Sequence, residues 1–375
     1  MAGMRVGVIA AEMEGRATGV GRYLEGLLNG LECWDHGVEW HLFFQGDPVS
    51  SPHIPDGPFH AHHSRHHGSR VWWEQVAVAR DLAALAPDVI FGPAYTLPFG
   101  LKAPSVVTIH DLSFEVLPDE FGARERWRRR LLARRAARVA RRVLTDTAHL
   151  SSCVGAHYGV GEDRLAVVPL GVDVHTFSPR AEDGDARILS ELGVSPPYVL
   201  VPGTVLERRM PHQVLGAFVL LRSSHPELQL VIAGANRMRR TGRLGAWIGD
   251  LGLAEKVRML GWVEEEVLAP LYRGAELAFY LSRHEGFGLP PLECLACGTP
   301  VVVTGGLGLD DEWPDYPFRI AEPTEENIAA VASEILADAE ATAQAMVEAP
   351  EVIAGLSWDR SSRRLVAELR RVVRP

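Results

Sequence analysis

The chain reads as two doubly wound α/β domains in series. Three observations predict this. Short β-branched runs alternate with helix-period segments along the whole length. The 375 residues exceed what one hydrophobic core usually fills. A proline-rich acidic stretch breaks the alternation near the middle. Strand–helix alternation of this kind implies parallel sheets covered on both faces.

Taken in order, the first-half strands are expected at Arg5–Ala10, Val38–Phe44, Val89–Phe91, Ser105–Ile109, Arg142–Thr145 and Leu165–Val168. The second half offers Tyr198–Val201, Gln229–Ala233, Val257–Leu260, Leu277–Tyr280, Pro300–Val303 and Phe318–Ile320. Helical segments between them include Val20–Leu31, Val71–Leu85, His212–Arg222, Leu268–Gly274 and Glu325–Ala339. Between Thr176 and Pro197 lie Pro179, the cluster Glu182-Asp183-Gly184-Asp185 and the pair Pro196-Pro197, all linker signals. They divide the chain into domains over 1–178 and 179–357. The last segment, Trp358 to Arg374, places Trp358, Leu365, Val366, Leu369 and Val372 on one helical face.

Composition narrows the classes. At 47% hydrophobic and 23% charged, the chain is ordinary for a soluble globular protein. A formal charge of −10 argues against a nucleic-acid partner. No apolar run reaches the roughly 20 residues of a membrane span. The N-terminus runs straight into a strand and lacks the pattern of a secretory leader. Four cysteines do not make a disulfide framework. The expected location is cytoplasmic.

The richest stretch is Arg283 to Pro300, R-H-E-G-F-G-L-P-P-L-E-C-L-A-C-G-T-P. It sets a glycine turn between Glu285 and Glu293. If Pro290 opens a helix, Glu293 sits about one turn inside, and the N–H groups of the helix start favour an anion. Gly286 and Gly288 around Phe287 suit close backbone approach. Two carboxylates flanking an anion site fit a ligand with hydroxyls at both ends and phosphate between them, a nucleotide sugar. Gly203 to Arg209, G-T-V-L-E-R-R, follows a strand, where open α/β sheets bind ligands. Its adjacent Arg208 and Arg209 suit a diphosphate, or a solvated basic turn.

In the first half, Thr18-Gly19-Val20-Gly21-Arg22-Tyr23 opens a helix after the first strand and reads as a tight turn or a binding loop. His110-Asp111 ends a strand; the histidine could bond a sugar hydroxyl, handle a proton, or serve structure alone. Arg124 to Arg142 holds ten arginines and one acid, Glu125. Such a helix suits an anionic membrane surface or forms a solvated face; for a nucleic-acid patch it lacks interleaved aromatics beyond Trp127. His60, His62, His63, His66 and His67 fall in a Pro/Gly/Ser-rich stretch and read as a polar loop, not a metal site. Cys294 and Cys297 read as small buried residues of a helix.

Together these motifs resemble the retaining glycosyltransferases of family four, with the GT-B fold of two Rossmann-like domains facing across a cleft. The stretch E-G-F-G-L-P-P-L-E-C-L-A-C-G-T-P-V is similar to the family's Glu-x7-Glu signature. G-V-G-R-Y, V-T-I-H-D-L, V-P-L-G-V-D, Ala233-Gly234, L-G-W-V, L-Y-R-G-A-E and S-W-D-R follow in the family's order. The resemblance implies that Glu293 holds ribose hydroxyls and that Glu285 contacts the donor sugar. The backbone of Gly286, Phe287, Gly288 and Leu289 would meet sugar and diphosphate. Arg208 and Arg209 would hold the diphosphate beside Gly203, His110 would contact the sugar, and Gly19 would line the cleft. The final helix, 358–375, would pack back on the first domain.

The sequence departs from the family in Arg209 for the usual Lys and Met210 for a frequent Asn. The run G-G-L-G-L-D-D-E-W after Thr304 is a third departure. The implied activity is metal-independent, retaining transfer of a hexose to a glycan or lipid-linked acceptor in surface polysaccharide or glycolipid synthesis. GDP-mannose is favoured as donor, UDP-sugars come next, and no cofactor is implied. A glycosidase or phosphorylase, and a non-catalytic sugar-nucleotide-binding or membrane-docking partner, are the alternatives.

Overall fold

A computed structural model describes residues 3–15, 18–32, 34, 37–46, 54, 56–64 and 68–373. The chain separates into two compact units. One comprises 1–116, 122–171 and 356–375; the other comprises 117–121 and 172–355.

The first unit holds a seven-stranded parallel sheet in the order β3-β2-β1-β4-β5-β6-β7. Its strands are β1 (Met4–Ile9), β2 (Val38–Phe44), β3 (Phe59–His63), β4 (Val89–Gly92), β5 (Ser105–Ile109), β6 (Arg142–Thr145) and β7 (Leu165–Val167). The second unit holds a six-stranded parallel sheet, β10-β9-β8-β11-β12-β13. Here the strands are β8 (Tyr198–Pro202), β9 (Gln229–Ala233), β10 (Val257–Gly261), β11 (Leu277–Tyr280), β12 (Val301–Thr304) and β13 (Arg319–Ile320). Central strands are covered on both faces, so they read as unbroken apolar runs. Val301, Val302 and Val303 are fully buried, as are Val106 and Val107 of β5.

All twelve expected strands form, and β3 is an addition. The histidine-rich stretch is therefore not simply a loop. Phe59–His63 is an edge strand paired only to β2, in the register Trp40↔Phe59 through Phe44↔His63. It carries no apolar alternation: Phe59, His62 and His63 are half-buried, and His60 and Ala61 are exposed. Aromatic stacking on β2 replaces it: His62 lies on Phe43 and His60 on His41, with ring centroids 4.8 Å apart in each pair. His53, His66 and His67 lie outside the described residues.

The stretch expected as a linker is also structured. Asp185–Glu191 is a helix, and Arg273 donates to both oxygens of Asp185 at 2.7 Å. The first unit ends at Gly171 instead of Ser178. Sequence signals mark where the chain is polar; the side chains of 172–178 go with the second unit, among them buried Val172 and Phe177.

The helix Trp358–Val373 belongs to the first unit. Its start is seated among glycines. A Cβ on Gly26 would stand 2.2 Å from the Trp358 ring, one on Gly30 2.4 Å from Trp358 O, and one on Gly171 2.3 Å from Trp358 N. Ser362 Oγ donates to Leu27 O at 2.7 Å and Ser361 Oγ to Pro169 O at 2.6 Å. At Gly30 the obstruction is backbone, which cannot swing aside. Gly30→Ala should therefore cost about 1–3 kcal/mol despite alanine's better helix propensity. A denaturant midpoint equal to or above wild type would refute this packing.

Candidate functional site

Strand order in the second sheet reverses between β8 and β11. Chain following β8 runs outward through β9 and β10, and chain following β11 runs outward the other way. A crevice opens at the carboxyl ends of such a pair. Two turns meet there, and both need glycine: Gly203 after β8 and Gly288 before the helix Leu289–Ala296 each have φ +87°. Gly234, at the end of β9, is fixed by contact instead. A Cβ there would lie 1.8 Å from Gly203 O. Val201 to Val205, Arg209, Pro211 and Phe279 to Leu281 line a small cavity of about 20 Å³ at this edge.

Two guanidiniums enter the crevice. Arg209 lies 3.8 Å over the Tyr280 ring, donates to Tyr280 OH at 2.5 Å, and has Glu285 Oε2 at 2.9 Å. The Glu285 contact is an ion pair out of line for a hydrogen bond, and Arg209 Nε is buried without a hydrogen-bond partner. Arg208 Nη1 donates to Glu120 Oε2 at 3.2 Å. All four charged side chains are nearly buried, at 12% and 14% exposure for the arginines and 9% and 13% for Glu120 and Glu285. Burial pushes the Glu120 carboxyl above the usual carboxylate range, against the pull of Arg208. Burial likewise raises the Tyr280 hydroxyl, so it stays a neutral phenol.

Pro290 lies in the first turn of the helix Leu289–Ala296, as expected, but Pro291 follows it. Two of the N–H groups that a helix start would offer an anion are therefore missing. Any donors at this edge would come from the glycine turn and the arginines. Glu293 is 1% exposed and accepts from Tyr272 OH at 2.9 Å. Phe287 faces inward: its ring fills the space a Cβ on Gly308 would take, at 2.3 Å, and its carbonyl accepts from Gly308 N at 2.8 Å. Only its remaining backbone is available to a ligand. Leu289 is buried at 7% exposure.

In the first unit His110 follows β5. Nδ1 lies 2.9 and 3.1 Å from the two oxygens of Asp146, and Nε2 lies 2.7 Å from Pro93 O. A carbonyl can only accept, so Nε2 carries a proton, and Nδ1 shares one with the Asp146 carboxyl, which burial pushes upward. Burial alone would lower this histidine, but Asp146 outweighs it and the net direction is upward. His110 so held has both ring nitrogens engaged by the protein, so neither is free to take a proton from a substrate. Tyr23 meets its ring edge-on at 4.6 Å. Of the two glycines at the helix Gly19–Glu32, Gly21 is set by packing, since its Cβ would lie 2.7 Å from Glu12 O. Gly19 faces open space, with nothing within 4 Å.

Two family models cover most of the chain: "Glycosyltransferase Family 4" matches residues 17–176 and "Glycosyl transferases group 1" matches 188–351. The chain belongs to this family. It is 32% identical over 212 residues to a D-inositol 3-phosphate glycosyltransferase of Pseudarthrobacter chlorophenolicus, covering 54% of this chain and 50% of that protein. An MMP alpha-(1->4)-mannosyltransferase of Mycolicibacterium hassiacum is 31% identical over 211 residues, 54% of this chain and 48% of the relative. The chain thus spans about half the length of the curated relatives it matches. A sucrose-phosphate synthase structure from Thermosynechococcus elongatus superposes with a TM-score of 0.79 at 18% identity, covering 98% of each chain. The fold of this glycosyltransferase-family chain is GT-B, with two parallel-sheet α/β domains.

Within this family member, the residues expected from sequence in the second unit do gather at one sheet edge: Gly203, Arg208, Arg209, Glu285, Gly288 and the turn to Leu289. Sequence reasoning missed their partners Tyr280, Tyr272 and Glu120, and missed Asp146 opposite His110. Position at a strand's carboxyl end could have flagged Tyr280 and Asp146; nothing local flags Glu120. The sequence's one Asp-x-Asp triplet, Asp183-Gly184-Asp185, has its Asp185 tied to Arg273. Among the described residues no three His, Cys, Asp or Glu side chains could hold one metal ion.

On the arginine helix Ala123–Val139, several charges point inward. Arg126 donates to Phe114 O at 3.0 Å, Arg130 pairs with Glu115 at 2.5 Å, and Arg135 donates to Leu97 O at 2.7 Å. Trp127 (66% exposed) and Leu131 (51%), one turn apart, point outward.

A further carboxylate of the first unit, Glu74, is half-buried. Glu74 lies in a π-helical turn, Trp73–Ala77, and accepts from Thr96 Oγ1. Burial pushes its carboxyl up to about 7, partly offset by Arg70. An acid with a raised folded value binds its proton more tightly when folded. Wild-type stability should therefore fall as pH rises from about 4.5 to about 7 and level off above. Glu74→Gln should remove that fall, gaining on wild type by on the order of a few kcal/mol at about 1.4 kcal/mol per unit. Parallel pH–stability curves for the two proteins would contradict it.

Proposed function

We propose that this protein moves a hexose, with retained anomeric configuration, from a nucleoside diphosphate sugar to a hydroxyl of a glycan or lipid-linked acceptor. The observation that carries the reading is the meeting of Arg208, Arg209, Glu285 and two left-handed glycine turns at the β8–β11 switch point, in a chain of this family. As the bond from sugar C1 to the phosphate oxygen breaks, the departing diphosphate gains negative charge. Arg208 and Arg209 offset that charge, so we propose that they do the work a divalent cation would otherwise do. Glu293 is proposed to hold the ribose, the Gly286–Leu289 backbone the phosphate and sugar, and Glu285 a sugar hydroxyl. In the first unit, His110, with both ring nitrogens held by Asp146 and Pro93 O, is proposed to contact the donor sugar through its ring, and Gly19 leaves space for substrate.

A double-displacement route would need Glu285 as nucleophile. Its pairing with Arg209 at 2.9 Å blunts the carboxylate. Same-face attack is preferred: the acceptor oxygen bonds to C1 while its proton passes to the leaving phosphate oxygen. GDP-mannose is the proposed donor, in line with the mannosyltransferase among the relatives. The proposed setting is surface polysaccharide or glycolipid synthesis at the cytoplasmic face of a membrane. The helix Ala123–Val139, with Trp127 and Leu131 outward among its arginines, would touch the anionic surface. Among the described residues no helix is long and apolar enough to cross a membrane.

A donor panel read by nucleoside diphosphate release should give its highest rate with GDP-mannose; release from no donor would overturn the transferase reading. Arg208→Ala with Arg209→Ala should lower turnover roughly 10²–10³-fold, and full activity would remove their role. Trp127→Ala with Leu131→Ala should weaken co-sedimentation with anionic liposomes, and equal binding would return the helix to a solvated face.

A further inference from the structure

Arg208 sits where the donor diphosphate is proposed to bind, yet its charge is already met by the carboxylate of Glu120 at 3.2 Å. Glu120 ends a short 3-10 turn, Pro118–Glu120, inside the segment Leu117–Phe121 that belongs to the second unit. A second arginine grips the same segment: Arg239 Nη1 donates to Asp119 O at 2.9 Å, and Arg239 N donates to Glu207 Oε1 at 3.0 Å. The backbone of Arg208 is fixed as well, accepting from Arg283 N at 2.9 Å. Glu120 is thus an anion delivered to the diphosphate-binding arginine by a separate stretch of chain.

We propose that Glu120 is an internal stand-in for the donor diphosphate, a residue that sets donor affinity by competing with phosphate for Arg208. This rests on the reading of Arg208 as a diphosphate ligand. The physical case has three parts. A guanidinium at 12% exposure needs an anionic partner within the fold, because leaving it unpaired and desolvated is costly. A diphosphate oxygen brought to the same group would lie within a few ångströms of the Glu120 carboxylate, and like charges at that range in a partly buried site repel strongly. Finally, Glu120 is the weaker of the two anions: burial already disfavours its charged form, with Glu207 adding to this. The stronger, multiply charged ligand displaces it. The same contact keeps Arg208 aimed into the crevice between turnovers.

The test is calorimetric binding of GDP, UDP and inorganic pyrophosphate to the full chain. The comparison set is wild type, Glu120→Gln, Arg208→Ala and the double variant. Glutamine keeps the shape and removes the charge. Glu120→Gln should bind GDP and pyrophosphate about tenfold more tightly and lower the KM for donor more than it changes kcat. Guanosine, which has no phosphate, should bind all four proteins alike. In the Arg208→Ala background the Glu120→Gln gain should vanish. Equal or weaker diphosphate binding by Glu120→Gln, while Arg208→Ala still loses affinity, would overturn the stand-in and leave the donor-site reading intact. Failure of wild type and Glu120→Gln alike to bind any of the three probes would overturn both. A melting temperature within a degree or two of wild type for Glu120→Gln would assign the change to the site and not to folding.

Discussion

Two guanidinium groups nearly removed from solvent set the terms for the second unit. A buried cation must be paired, and each here is matched to its own carboxylate, Arg208 to Glu120 and Arg209 to Glu285. That pairing needs four side chains to reach one sheet edge from three separate stretches of chain. It needs glycine at Gly203 and Gly288, where the backbone turns left-handed, and at Gly234, where two turns touch. Tyr280 then serves as a floor: its ring carries Arg209 and its hydroxyl accepts from it. The chemistry proposed for the site is the consequence of holding positive charge in place before any anion arrives.

The first unit solves a similar problem with the opposite balance. His110 is boxed between Asp146 and Pro93 O. Tyr23 supports its edge, and Tyr23 is itself held through the helix that Trp358 packs against. The C-terminal helix therefore does more than cover apolar surface. Its first turn sits against Gly26 and Gly30 and fixes the helix whose start carries Gly19. Close packing at these glycines links the last residues of the chain to the neighbourhood of His110.

Strand positions were legible because buried parallel strands leave apolar runs of distinctive length, as in Val301 to Val303. The site was legible where residues act through local spacing. The glycine turn between Glu285 and Glu293 and the Arg208-Arg209 pair both announce themselves. β3 was not legible, because an edge strand stabilised by stacking histidines on Phe43 and His41 shows no hydrophobic period. Neither was the loss of helix-start donors, since Pro291 matters only once Leu289 is known to begin the helix. Glu120 and Asp146 were hidden for another reason: each lies far in sequence from the residue it serves.

The sequence by itself determined the strand–helix alternation, the two-unit division near its middle and the identity of the charged residues, because these follow from local composition and periodicity. Tertiary structure alone decided which charge meets which. Ion pairs between residues 88 apart, such as Glu120 and Arg208, depend on strand order and turn geometry. The hydrogen bonding of His110 is set in the same way, by two partners that only the folded chain brings to its ring.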